Sequence, residues 1–333
     1  MKITMKQAGA NLSIKEAFKD FVVAQTAKGV SDKTVETYRA HFRSIGKHLD
    51  TSLTFDVLKQ TDLDRMVVSM RQSGLAHNSI SSYLRVFRTF LNWCAGQGYT
   101  ALNVPNYKQV ETVKGTYTDE ELLRLLKKPA ASCNFCEYRN WVIVNFLLNC
   151  GCRAATVRNI LIEDVFLADS QIIFRHTKTH KVQAVPLCSQ MVNVLRAYMK
   201  IRGGKQTDYL FCDEYGRMLT ENALRLAITH YNHSRGVEKT SIHLFRHTFA
   251  RKYLVDCGGN AFTLQKLLGH VTLKMTKHYC NIYDADIAKS FDRFSPLAQM
   301  NANAERIAKL SAVPSRVMRK LVCRLWLNEV SQQ

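Results

Sequence analysis

Residues 243–279 contain His243-Leu244-Phe245-Arg246-His247, then Leu268-Gly269-His270, then Tyr279 nine residues after that last histidine. Upstream, Lys178 lies in the polar turn Thr177-Lys178-Thr179-His180, between strand-like runs at 171–175 and 181–187. Further upstream, Gly151-Cys152-Arg153 follows the apolar run 141–148. Arg153, Lys178, His243, Arg246, His270 and Tyr279 make an ordered set of three cations, two histidines and a tyrosine. A guanidinium stays charged and offers donors in a fixed fork, which suits an oxyanion. A tyrosine hydroxyl can act as a nucleophile. His243 and Arg246 stand three apart and share a helical face. Singly, each residue has an ordinary structural explanation: a capping arginine, a solvated lysine, a core histidine, a half-buried tyrosine. The signal is in their order and spacing taken together.

The rest of the chain agrees with an anionic partner. Its 333 residues carry 47 Lys and Arg against 27 Asp and Glu, a formal net charge of +20. Residues 1–114 hold 16 basic and 9 acidic side chains, and 115–333 hold 31 and 18, so the surplus divides as +7 and +13. Two basic halves could hold opposite sides of one polyanion. A hydrophobic content of 46% is enough for ordinary cores and excludes disorder as the main state. No apolar run reaches membrane-spanning length. Met1-Lys2-Ile3-Thr4 opens no signal-peptide core, so a cytoplasmic protein is expected. The 10 cysteines are scattered and read as thiols. Cys133-Asn134-Phe135-Cys136 has no second half at zinc spacing, and no phosphate-binding glycine loop or carboxylate cluster appears, so neither metal nor cofactor is expected.

The length implies two domains. Composition shifts between Gly96 and Tyr117, and the linker is placed at 109–117. Ahead of it lie four helical patterns. Ser13-Ile14-Lys15-Glu16 is a capping box, Ser31 can cap a second helix, Thr61 opens a third, and a fourth spans about 79–94. Arg85 and Arg88 share an outer face of that fourth helix, where they could lie on DNA phosphates. After the linker, Thr118-Asp119-Glu120-Glu121 is another capping box. Helices are expected near 119–127, 138–150, 189–201, 220–234, 243–256, 262–268 and 272–292, with one hairpin at 171–187. In the tail, 316–330 reads as an amphipathic basic helix.

The motif order resembles the tyrosine recombinases, the phage-integrase-like family: an arginine after Gly-x, a hairpin lysine, His-x-x-Arg, Leu-Gly-His, and a tyrosine nine residues on. The likeness covers roughly 118–292 and extends more weakly to the helical first half. It implies a mainly α protein with a small β insert, made of a helical core-binding domain (1–108) and an α+β catalytic domain (118–295). Residues 296–333 would form a C-terminal tail that docks on a neighbouring protomer. It implies site-specific cutting and rejoining of double-stranded DNA through a 3′-phosphotyrosine, by a tetramer on two DNA sites. Tyr279 would be the nucleophile, Arg153 and Arg246 would bind the phosphate, and Lys178 would protonate the leaving oxygen. His243 and His270 would hydrogen-bond the phosphate or move a proton. His247 reads as structural.

Alternatives remain at this level. Tyr283 rivals Tyr279 and Lys181 rivals Lys178. Thr156 stands where the family commonly has an acidic residue. A DNA-binding protein of the same fold that does not catalyse, and a type IB topoisomerase, are the competing functions. An additional N-terminal arm-binding domain is not expected ahead of Ser13. Integration, excision and dimer resolution are not distinguished.

Overall fold

A computed structural model describes residues 11–107, 115–175, 182–277, 295 and 300. The chain divides into two compact units, Met1–Val113 and Lys114–Gln333.

The first unit is a helical bundle: α1 (Ile14–Ala27), α2 (Asp32–Ile45), α3 (Gln60–Gln72) and α4 (His77–Gly96). The Ser13 capping box forms, with Ser13 Oγ accepting from the Glu16 amide at 3.2 Å and Glu16 accepting from the Ser13 amide at 3.1 Å. Ser31 stands at the start of α2 but its side chain caps no backbone amide; it meets the Thr34 hydroxyl at 2.9 Å instead. The third helix begins at Gln60, not Thr61, because Asp62 reaches back to the Lys59 amide at 2.9 Å. Apolar residues at helical spacing turn aromatic rings inward. Phe18 stacks on Phe42 with centroids 3.7 Å apart, and Phe90 meets Phe18, Phe21 and Phe42 edge-on.

The second unit is built round α6 (Phe135–Cys150), whose stretch Tyr138–Val144 is buried on every side, with buried Arg139 answered by Asn140 and the Cys212 carbonyl. Packed about it are α5 (Asp119–Leu126), α7 (Ala154–Asn159), α8 (Ser189–Arg202), α9 (Glu221–Ser234) and α10 (Ile242–Leu254), followed by α11 (Ala261–Leu268) and α12 (Leu273–Lys277). Tyr117, just ahead of α5, is buried in this core and donates to the Lys239 carbonyl at 3.2 Å. The β insert is a three-stranded antiparallel sheet, β1 (Val165–Phe166), β2 (Gln171–Phe174) and β3 (Gln183–Pro186). Its β2–β3 register pairs Phe174 with Gln183 next to the turn. Sequence periodicity found β2 and β3 but neither β1 nor α7. Two- and six-residue elements are too short to show a period.

Candidate active site on the second unit

Three chain segments meet at one point. The first is the end of α6. Gly151 adopts a left-handed conformation there, with φ +56°. A Cβ on it would run into the Phe249 ring and lie 3.0 Å from Leu268 Cδ2, so only glycine lets α10 and α11 approach this closely. The turn out of α6 delivers Cys152 to the interior and half-buried Arg153 to the start of α7.

The second segment is α10. Its His243 lies exposed in the first turn, and Arg246, one turn on, is only 4% exposed. An unpaired guanidinium at that depth would be very costly. Arg246 is instead bound by backbone: Nη1 donates to the Gly151 carbonyl at 2.9 Å and Nη2 to the Leu268 carbonyl at 3.0 Å. Nη2 also lies 2.7 Å from His270 Nε2. Three of the five guanidinium N–H groups are thereby occupied among the described residues.

The third segment is the turn after α11. Gly269 closes that helix in a left-handed conformation, φ +62°, and delivers His270 inward, 9% exposed. Arginine has no acceptor, so His270 Nε2 must accept from Arg246, and Nδ1 carries the proton. Nδ1–H therefore donates to the Thr276 hydroxyl of α12 at 2.8 Å. Burial, and then the charges of Arg246 and Arg153, pull the imidazole down to about 4, so it is neutral at physiological pH. Thr276 is a residue that sequence reasoning missed; a lone threonine three places before Tyr279 has no pattern to mark it.

The fold thus brings Arg153, Arg246 and His270 together, with His243 one helical turn from Arg246. Lys178 and Tyr279, and their rivals Lys181 and Tyr283, lie outside the described residues. The flanking pieces are described. Strands β2 and β3 bracket the segment that contains Lys178, and the last described residue of α12, Lys277, is two residues before Tyr279. Thr156 is buried in α7. Among the described residues no cluster of His, Cys, Asp and Glu could hold a metal ion, and no helix is long and apolar enough to cross a membrane.

In the first unit, Arg85 is exposed on α4, whereas Arg88 donates to the Pro105 carbonyl at 3.1 Å and is half-buried. A separate basic cleft of about 380 Å³ was not anticipated. Lys15 and Lys19 of α1 and Arg39 and Arg43 of α2 rim it, over a floor of Phe18 and Phe42. The signal was available: both pairs are spaced i, i+4, so each pair lies on one helical face.

Two family profiles match. The phage integrase family covers residues 116–286, and the N-terminal SAM-like domain of phage integrases covers 18–98. The tyrosine recombinase XerD of Staphylococcus haemolyticus is 24% identical over 289 residues, 82% of this chain and 96% of that one. XerC of Pseudomonas fluorescens is 23% identical over 292 residues, 84% and 96% of the two chains. Among solved structures, the Tn1549 transposon integrase in complex with a circular intermediate DNA superposes with a TM-score of 0.69 at 17% identity, covering 84% of this chain and 99% of that one. A lambda integrase tetramer bound to a Holliday junction gives 0.67 at 15% identity, over 82% and 78%. With the first profile spanning more than half of its length, the chain belongs to the phage integrase family of tyrosine recombinases, enzymes that cut and rejoin DNA strands.

Proposed function

We propose that this site-specific recombinase cleaves DNA through Tyr279, with Arg153, Lys178, His243, Arg246 and His270 completing the site. The observation that carries the reading is the buried Arg246–His270 pair, held on the Gly151 and Leu268 carbonyls beside Arg153. A buried guanidinium fixed by backbone is already in place when charge develops on a phosphorus, so little reorganisation is needed.

The steps follow from that chemistry. The Tyr279 oxygen attacks the scissile phosphorus; a P–O bond to tyrosine forms and the P–O5′ bond breaks. The tyrosine proton passes to a base, and Lys178 supplies a proton to the departing 5′ oxygen. Arg153 and Arg246 bind the non-bridging oxygens, Arg246 with the two N–H groups that no described residue takes. His243, exposed on the first turn of α10, reaches the same phosphate. His270 holds Arg246 in orientation while the site is empty. An incoming phosphodiester offsets the two guanidinium charges and raises the proton affinity of the imidazole, which suits it to proton transfer. A 5′ hydroxyl from another strand then attacks the phosphotyrosine, and tyrosine leaves. The bond energy is conserved, so the cycle consumes no nucleotide.

The first unit supplies affinity through phosphate contacts, from Arg85 and the α1–α2 cleft, with Arg88 joining when it leaves Pro105. A tetramer on two DNA sites, with the tail of one protomer on the next, is the assembly that strand exchange needs. A cytoplasmic location and the movement of a mobile element are a setting and a role that fit this reading.

A nicked duplex that traps the cleaved state tests the reading. The wild type and Tyr283→Phe should give a covalent protein–DNA adduct, and Tyr279→Phe none. An adduct kept by Tyr279→Phe and lost by Tyr283→Phe would overturn the assignment. Sequence-specific binding without any adduct would make the protein a silent relative.

A further inference from the structure

The last three carbonyls of α11 are each taken by a side chain from elsewhere in the second unit. Leu268 O accepts from Arg246. Lys266 O and Leu267 O both accept from Gln183 Nε2, at 2.7 and 2.8 Å. Carbonyls at a helix C-terminus lack the usual intrahelical partner; the Gly269 amide reaches Lys266 O at 3.1 Å, and Gln183 adds a second donor there as well as answering Leu267 O. Two acceptors on one side of the carboxamide also fix its orientation, with the NH2 group toward the helix. The fit is close: a Cβ on Gly269 would lie 2.7 Å from Gln183 Oε1.

Gln183 is the first residue of β3, paired with Phe174 across the β2–β3 hairpin, and Lys178 lies in the segment that joins the two strands. On the other side of its contact, Gly269 and His270 follow directly. We propose that Gln183 is a positioning residue that couples the Lys178 hairpin to the turn holding His270 and Arg246. A shift of the hairpin is transmitted through the end of α11 to the phosphate-binding pair. Hairpin lysine and arginine–histidine pair therefore take up their working geometry together. This rests on the roles given to Lys178, Arg246 and His270 above.

Three substitutions in the full chain test it. Gln183→Glu keeps the shape but has no donor to offer the two carbonyls. Gln183→Lys keeps a donor. Gln183→Met is neutral and donor-free, and carries the comparison should the glutamate variant fail to fold. Two losses of a hydrogen bond should slow single-turnover cleavage of the nicked duplex about 10- to 100-fold in the donor-free variants. The Kd for DNA should stay within about twofold, since the contact lies off the DNA-binding cations. Gln183→Lys should recover most of the rate. The second readout needs no catalysis: the His270 ring followed by NMR against pH in DNA-free protein. The charged groups facing that ring, among the described residues, are Arg246 from α10 and Arg153 ahead of α7. With Gln183→Glu or Gln183→Met the His270 midpoint should rise toward the ordinary histidine value, as the turn loosens and Arg246 withdraws. A wild-type rate with an unmoved His270 midpoint overturns the coupling. So does equal loss in all three variants, which would mean only that the site is crowded. If Tyr279→Phe keeps its adduct while the His270 midpoint still responds to Gln183, the nucleophile assignment fails and the coupling stands.

Discussion

The two units place their positive charge in opposite ways. On the first, Lys15, Lys19, Arg39 and Arg43 stand in water round an aromatic floor, and none makes an ion pair among the described residues. In the second, Arg246 is buried and answered by two carbonyls and an imidazole. A solvated cation attracts a polyanion from a distance, and salt screens it. A buried cation attracts little from a distance but acts strongly on a group that enters its pocket, because the local dielectric is low. Grip and chemistry are thus separable, and the separation can be tested.

The largest effect should come from Arg246→Lys. An ammonium cannot span both carbonyls, so cleavage should fall about 10²- to 10³-fold in single-turnover assays. Leaving a buried carbonyl unanswered should also cost about 1–3 kcal/mol in denaturant unfolding. Near wild-type cleavage would mean that the buried charge is architectural only. Next in size is a pH effect. His270 is depressed in the folded state, to about 4 from an ordinary 6.5. The unfolded chain therefore binds more protons between those values, and stability rises with pH there. The second unit should lose stability as pH falls from about 6.5 to 4. His270→Gln should flatten that slope in thermal melts, and an unchanged slope would place the depressed group elsewhere. The smallest effects belong to the cleft. Neutralising Lys15, Lys19, Arg39 or Arg43 one at a time should leave unfolding within about 0.5 kcal/mol of wild type. Each cation that does meet a phosphate should lower the slope of log affinity against log salt by about 0.9. A cleft mutant that slows cleavage at saturating DNA would break the division between grip and chemistry.

Much of this was legible in the sequence, for identifiable reasons. The Ser13–Glu16 and Thr118–Glu121 capping boxes are local and formed as read, because four consecutive residues suffice to make the reciprocal bonds. The motif order singled out Arg153, Arg246 and His270, and the fold brings these three together. What escaped was contact made over long separations. That Gly151 and Leu268 offer carbonyls to Arg246 depends on how α6, α10 and α11 cross. Gln183 on a strand, and Thr276 on α12, look like any polar surface residue until the fold supplies their partners. Ser31 shows the converse: a good capping residue, correctly placed, whose hydroxyl found Thr34 instead.

Gly151 and Gly269 bear on any attempt to retarget the enzyme by directed evolution. Both hold a left-handed turn, and at both a side chain would strike a neighbour, Phe249 and Leu268 at one and Gln183 at the other. A mutational library that includes either position spends its diversity on proteins whose Arg246–His270 pair is displaced, whatever DNA they recognise. The exposed faces of α1 and α2 carry no such constraint, so the strength of DNA binding is best tuned there while the two glycines are held fixed.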